Sequence, residues 1–162
     1  MRAKLVLLAL SLLAAAPAQA GPAEDATAAV TNVLDRFNGG DINAFFQAHE
    51  EGATIVDEFA PHLWTGTNSP QRWAGDYQHD ATARGISGGR VDYGRPIRAE
   101  SDGRAAYIVL PTVYRFRQHG RRMAARSTMT FVMHRQGARW LIASWTYTGP
   151  APAPEPGRRA RH

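Results

Sequence analysis

Apolar residues near the start of the chain recur with helical spacing. Between Glu24 and Phe37 they occupy positions i, i+3, i+4, i+7, i+8 and i+11, which is the stripe of an amphipathic helix packed on a core. The Asn38–Gly40 run predicts the end of this helix. Asp41 then predicts the N-cap of a short second helix that ends near residues 49–52.

Alternation of apolar and polar residues predicts one strand before a third helix and four long strands after it. Ser69 as N-cap and Pro70 at the first helical position predict the start of that helix, which fades at Gly85. The predicted strands span residues 53–59, 90–100, 104–117, 121–135 and 139–148.

This order of elements is typical of an α+β domain in which a cone-shaped, curved antiparallel sheet is wrapped around three N-terminal helices. The domain is assigned to residues 21–149. Residues 1–20 have the basic start, apolar run and Ala-Gln-Ala end of a signal peptide, which predicts a periplasmic or secreted protein with no stable membrane anchor. Residues 150–162 are rich in Pro and Arg and predict an extended, disordered tail.

The charge of the chain gives little support for a polyanionic partner. The formal net charge is +5. Once the signal peptide and the tail are set aside, fourteen basic and thirteen acidic residues remain, so no nucleic-acid partner is expected. The chain contains no Cys, which excludes thiol chemistry, and it has no Walker loop, dinucleotide glycine fingerprint or HExxH motif. We therefore expect neither a metal nor another cofactor.

Two stretches of the chain resemble the nuclear transport factor 2-like superfamily, which includes ketosteroid isomerases, SnoaL-like polyketide cyclases and dehydratases. FNGGDINAFFQAHEEGATIVDEF, residues 37–59, resembles the family's helix, Gly-Asp turn, second helix and first strand. GARWLIASW, residues 137–145, resembles its terminal strand. The resemblance covers about residues 24–148 and implies the cone fold.

The same resemblance implies a catalytic role for Asp57. In the isomerase branch a carboxylate stands four residues after the Ala that opens the first strand, and Asp57 has that spacing from Ala53. Apolar neighbours would raise the pKa of this carboxyl toward that of a general base. Strand parity predicts that Glu58 faces away from the cone. The alternative is that Asp57 only ends a strand or binds a nearby Arg.

The resemblance does not extend to the donors that ketosteroid isomerases use. The family's Tyr and protonated Asp match Val33 and Thr130 here, and these cannot form a strong neutral donor pair, so steroid isomerisation by that mechanism is not expected. Dehydratase and cyclase relatives combine an Asp with His and Tyr. His49 and His62 lie nearest the expected mouth of the cone, but both are predicted to be surface residues.

By analogy with the family, one parity of the long strands should line the cone together with aromatic residues from the third helix and the rim. Such a lining suits a small apolar or aromatic molecule with an oxygen or a negative end. The alternative is that the aromatic side chains fill the cone themselves. The predicted ligand-binding residues are Trp64, Trp73, Tyr77, Thr112, Tyr114, Arg126, Thr128, Thr130, Trp145 and Tyr147.

The other parity predicts a homodimer. Met123, Met129, Phe131 and Met133 form a second apolar face that one cone cannot bury, so sheet-to-sheet packing of two subunits is expected. Three functions remain open at this level. They are small-ligand binding by an exported domain, isomerase, cyclase or dehydratase chemistry with Asp57 as general base, and a dimerisation or partner-binding domain with a filled cone.

Overall fold

The computed structural model describes residues 21–155, which fold into helices packed inside a curved sheet. The helices are α1 (Pro22–Asn38), α2 (Ile42–Gln47) and α3 (Ser69–Ala83). The strands are β1 (His49–Val56), β2 (Leu63–Trp64), β3 (Ile86–Tyr93), β4 (Arg98–Ser101), β5 (Ala105–Gln118), β6 (Arg121–Gln136), β7 (Arg139–Thr148) and β8 (Ala153–Pro154). No helix within residues 21–155 is long and apolar enough to span a membrane.

All the strands belong to one mixed sheet. Its order is β2–β1–β7–β6–β5–β3, with β4 added to β5 and β8 added to β6. The α+β cone is confirmed, but the sheet is not wholly antiparallel, because β1 and β7 run parallel. Register shifts interrupt the β3–β5 and β6–β7 ladders, and such bulges increase strand bending. The sheet therefore curves around the helices.

A side-chain cap marks the start of α2, whereas α1 and α3 begin without a side-chain cap hydrogen bond. The Ala44 N–H donates to Asp41 Oδ1 at 2.9 Å, which confirms Asp41 as the N-cap of α2. The prediction for α3 is wrong by one residue, since Asn68 is the N-cap and adopts a left-handed backbone conformation. The Ser69 hydroxyl is instead buried and donates to the Ala53 carbonyl, which ties α3 to β1.

The register of β6 reverses the predicted facing of that strand. Leu110 of β5 stands opposite Met129, and residues opposite each other share a face of the sheet. Met129, Phe131 and Met133 therefore face the helices and belong to the buried core. The apolar face that predicted a sheet-to-sheet homodimer is the core of a single subunit. The residues that face outward include Arg126, Thr128 and Thr130, so the prediction that they line the cone is wrong.

The chain after β7 does not leave the domain at once. Residues 149–155, called the strap below, continue along the edge of β6. Ala153 pairs with Ala124, and the Glu155 N–H donates to the Arg122 carbonyl at 3.1 Å. Residues 150–155 of the predicted tail therefore pack on the domain, where they cover a strand edge whose backbone groups would otherwise lack partners. Residues 156–162 and the predicted signal peptide lie outside the described residues.

Candidate functional site

A cavity of about 80 Å³, called the inner cavity below, lies between the helices and the concave face of the sheet. Its wall is largely aromatic. The aromatic residues that line it are Phe37, Phe45, Phe59, Trp73, Tyr77, Tyr114, Phe116, Trp145 and Tyr147. The charged residues that line it are Asp57, Glu58, Asp80 and Arg84. A few polar groups in an apolar concave wall are the usual composition of a small-molecule site.

Asp57 contributes a half-buried carboxylate to this cavity. It follows the last residue of β1, Val56, and its Oδ2 accepts a hydrogen bond from Trp73 Nε1 at 2.9 Å. Oδ1 accepts the Glu58 N–H at 2.7 Å. Burial raises the pKa of the Asp57 carboxyl, and these two hydrogen bonds only partly oppose that effect. A carboxyl with a raised pKa in an apolar cavity has the character of a general base.

Glu58 also lines the inner cavity, contrary to the prediction that it faces away. The prediction extended strand parity through residue 59, whereas β1 ends at Val56. Beyond that point the chain turns, with the Asp57 N–H donating to the His62 carbonyl at 3.1 Å. Burial raises the pKa of the Glu58 carboxyl, and the neighbouring charge of Asp57 adds to the rise. Two adjacent carboxyl groups therefore line the cavity, of which Asp57 is half-buried and Glu58 is exposed.

Two tyrosine hydroxyls meet at the wall of the cavity. Tyr77 Oη and Tyr114 Oη lie 2.6 Å apart, which makes one the donor and leaves the other with a free proton. Burial raises the pKa of both hydroxyls, so they remain protonated. Gly89 permits this pair, because a Cβ there would lie 2.6 Å from Tyr114 Oη and 2.7 Å from Tyr77 Oη. The pair can present one hydrogen-bond donor to a ligand.

Tyr147 carries a buried hydroxyl with no hydrogen-bond partner within residues 21–155. The Tyr147 ring lines the inner cavity, and burial raises the pKa of its hydroxyl. Ser127 lies close to it but shares a hydrogen bond of 2.7 Å with Thr112. A buried hydroxyl without a partner costs about 1–3 kcal/mol, so this group would gain from a water or ligand acceptor.

His49 is buried, although it was predicted to lie on the surface. Phe45 O can only accept and lies 2.7 Å from Nδ1, so Nδ1 carries the proton. Nε2 accepts the Trp145 Nε1–H at 3.0 Å. Burial lowers the pKa of His49 to about 4, which keeps the ring neutral. His49 does not line the cavity, and it positions Trp145, which does.

The structure brings about half of the predicted ligand-binding residues together. Those that line the inner cavity are Trp73, Tyr77, Tyr114, Trp145 and Tyr147. Trp64 is buried elsewhere and donates to Asp76 Oδ2 at 2.8 Å, and Thr112 bonds Ser127. Three lining residues that no sequence signal indicated are Asp80, Arg84 and Pro152. They come from α3, its C-cap and the strap, whose positions depend on the tertiary structure.

A larger outer cavity of about 570 Å³ lies between α3, the turn before α2 and the start of β3. Five residues line both cavities and form the partition between them: Phe37, Trp73, Tyr77, Ala81 and Ile86. No group of three or more potential metal-ligating side chains occurs within residues 21–155. Val33 is a buried core residue and Thr130 faces outward, so neither supplies a donor to the cavity.

Comparison with known proteins defines the fold. No family model and no curated protein matches the sequence. A nuclear transport factor 2-like superfamily protein from Salmonella enterica serovar Typhimurium superposes with a TM-score of 0.65 at 14% identity, over 87% of this chain and 97% of that one. The chain therefore has the nuclear transport factor 2-like fold.

Two further structural neighbours are an enzyme and a kinase hub. A type 2 hexachlorocyclohexane dehydrochlorinase superposes with a TM-score of 0.65 at 12% identity, over 81% of this chain and 89% of that one. The CaMKII hub of S. rosetta superposes with a TM-score of 0.64 at 18% identity, over 82% of this chain and 99% of that one. These identities are low, so the likeness concerns the fold alone.

Proposed function

We propose that the inner cavity binds a small, mostly apolar, uncharged molecule and that Asp57 accepts a proton from it in isomerase- or lyase-type chemistry. The observation that carries this proposal is the half-buried Asp57 carboxyl in the wall of an aromatic cavity. Burial raises the pKa of this carboxyl, which suits a general base. The Tyr77–Tyr114 pair supplies a neutral donor for an oxygen of the same molecule. A dehydrochlorinase among the structural neighbours agrees with base chemistry in this fold. Export, as residues 1–20 predict, is part of the proposal.

The charges around the cavity favour an uncharged ligand. The sequence suggested a ligand with a negative end because Arg126 was expected in the lining, but Arg126 faces outward. Arg84 is the cation among the residues that line the inner cavity, and its Nη1 lies 3.1 Å from Asp80 Oδ2. Asp57 and Glu58 add further carboxyl groups. An anion would therefore meet repulsion rather than a free cation.

Substitution of Asp57 tests the proposal. In D₂O, small cyclic ketones such as cyclopentanone should exchange their α-protons faster with the protein than in buffer, as followed by proton NMR. Asp57→Asn should lower the exchange rate about a hundredfold, the usual contribution of a general base, while ketone binding persists. The wild-type rate should rise as pH increases through the raised pKa of Asp57, because only the ionised form accepts a proton.

Asp76→Asn is the matched control. Asp76 lies on α3 and, like Asp57, accepts a hydrogen bond from a tryptophan, but it does not line the inner cavity. Its exchange rate should equal that of the wild type. Equal rates in the wild type and in Asp57→Asn would contradict the role of Asp57. No binding of any neutral ketone by the wild type would contradict the proposed cavity ligand.

We also propose self-association through the outer face of the sheet, with a second copy of the chain as the partner. This face carries Val113, Thr128, Thr130 and Val132, which are half-buried in one subunit. The CaMKII hub among the structural neighbours agrees with such a role.

Light scattering should give twice the subunit mass for the wild type and the subunit mass for Thr130→Arg. Thr67→Arg, at an exposed loop position, should remain a dimer, and a monomeric wild type would refute the proposal.

A further inference from the structure

The strap forms part of the wall of the inner cavity. Pro152 lines the cavity, although Gly149, at the start of the strap, follows directly on β7. A Cβ at Gly149 would lie 2.6 Å from the Arg126 carbonyl, so a glycine permits the close crossing of β6 that brings Pro152 inward. The cavity is therefore completed by a segment outside the predicted domain.

Little holds the strap in place. Within residues 149–155 only Pro152 and Glu155 are partly buried, and pairing with β6 spans two residues. The Glu155 carboxylate bonds both Arg115 and Arg122, and the Arg122 Nε lies 3.0 Å from Oε2. This three-residue group is called the clasp below. Segments with few buried contacts open at lower free energy than the core, so the strap is the wall segment that opens most readily.

The size of the inner cavity requires some part of its wall to move. Its volume is about 80 Å³. An engineered apolar cavity that binds benzene measures about 150 Å³. Most of the other wall residues pack in one buried cluster. The loop after β1 is anchored to that cluster by the buried Phe59 and by the hydrogen bond between Asp57 and Trp73. A ligand with one aromatic ring can therefore enter at least cost by displacing the strap.

We propose that the strap is a detachable wall of the ligand site. Pro152 contacts the bound molecule, the ligand enters when the strap leaves β6, and the clasp sets the frequency of opening. This inference rests on the proposed function, because it requires a ligand in the inner cavity. It assigns ligand contact and control of ligand access to residues that follow the last long strand.

The test uses 4-nitrotoluene, an uncharged nitroaromatic that quenches tryptophan fluorescence, and the chain from residue 21 to residue 162. Stopped-flow mixing reports its arrival beside Trp73 and Trp145. Glu155→Gln should raise the association rate about fivefold, since a partly exposed ion-pair network contributes about 1 kcal/mol. Raising the salt concentration from 0.05 to 0.5 M should speed association to the wild type and have little effect on the variant.

A pair of proline variants tests contact with the ligand separately from opening. Pro152→Ala should change the dissociation constant by about threefold or more, because Pro152 lines the cavity. Pro154→Ala is the matched control, because Pro154 pairs with Met123 and does not line the cavity, so its dissociation constant should match the wild type. Circular dichroism spectra and melting temperatures establish that each variant is folded.

The outcomes separate this inference from the function on which it rests. If the wild type and Asp57→Asn bind 4-nitrotoluene but the Glu155 and Pro152 variants have wild-type rates and affinities, the strap proposal is wrong and cavity binding stands. Equal effects of Pro152→Ala and Pro154→Ala would also overturn the contact assigned to Pro152. If 4-nitrotoluene does not quench the tryptophan fluorescence of the wild type, the proposed ligand binding in the inner cavity is wrong. The strap proposal is then wrong as well.

Discussion

Replacement of Trp73 with alanine should lower the free energy of unfolding by about 3–5 kcal/mol, the usual cost of removing a buried tryptophan. Trp73 is 5% exposed, and its ring centroid lies 5.0 Å from that of Phe45, 5.4 Å from that of Tyr77 and 5.2 Å from that of Trp145. It therefore joins α2, α3 and β7 at the centre of the aromatic cluster. Chemical denaturation followed by circular dichroism measures the loss.

The conservative variant Trp73→Phe separates packing from electrostatics. It keeps a ring in the cluster but removes the N–H that donates to Asp57 Oδ2 at 2.9 Å. That hydrogen bond lowers the pKa of Asp57, so its removal should raise this pKa further and shift proton exchange to higher pH. A carbon NMR titration of the Asp57 carboxyl measures the shift.

Trp64→Phe is a stringent control for this pair of variants. Trp64 is buried to a similar extent, and its Nε1 also donates to a carboxylate, Asp76 Oδ2, at 2.8 Å. It does not line the inner cavity. It should therefore cost stability without changing the titration of Asp57. An equal shift of the Asp57 pKa in both Phe variants would show that the Trp73 hydrogen bond has no specific effect.

Acidification should destabilise the protein through His49. The folded pKa of His49 is lowered to about 4 from an ordinary value of 6.5, so the unfolded chain binds a proton that the folded chain excludes. The stabilisation is complete above pH 6.5 and is lost as pH falls toward 4. The difference of the two pKa values corresponds to about 3 kcal/mol. Urea denaturation at a series of pH values measures this dependence.

His49→Gln isolates the histidine from other titrating groups. A glutamine can accept the Trp145 N–H and donate to the Phe45 carbonyl, but it does not bind a proton. Asp57 and Glu58 have raised pKa values, and their contributions act in the opposite direction because they favour folding in acid. Subtracting the stability curve of His49→Gln from that of the wild type cancels the contributions of these two carboxyl groups. His79→Gln, at an exposed position on α3, should retain the wild-type pH dependence, and a His49→Gln curve parallel to the wild type would contradict the prediction.

The sequence carried enough information to place Asp57 in the cavity but not to describe its surroundings. The family resemblance gave meaning to its spacing from Ala53, and its expected aromatic neighbours predicted a partly desolvated carboxyl; Asp57 lines the inner cavity, where burial raises its pKa. The Trp73 hydrogen bond connects residues sixteen positions apart. The second carboxyl, Glu58, was missed because β1 ends at Val56, and the direction of a side chain beyond a strand end depends on the turn. Local patterns do not report such contacts.

The facing of β6 shows a second limit of sequence analysis. Period-two alternation separates the residues of a strand into two sets, and it did so correctly for this strand. It does not state which set faces the helices, since that depends on register with the neighbouring strands. The set containing Met129 and Phe131 faces the core, so Arg126 is excluded from the cavity and an anionic ligand loses its partner. The reversed facing of β6 therefore changes both the expected ligand, which loses its negative end, and the apolar face that predicted the dimer.

The sequence by itself determined the three helices, the strands β5, β6 and β7 and the α+β cone, because helical and strand periodicity and capping residues act over a few positions. The single strand predicted over residues 90–100 is wrong, since this part of the chain forms two strands, β3 and β4. Only the tertiary structure decided which of the candidate residues enclose the cavity and which other residues join them. The Tyr77–Tyr114 pair, the burial of His49 against Trp145 and the return of the strap along β6 each join residues far apart in the chain. Such contacts depend on strand register and on the close approach of backbones at Gly89 and Gly149, which a one-dimensional pattern does not encode.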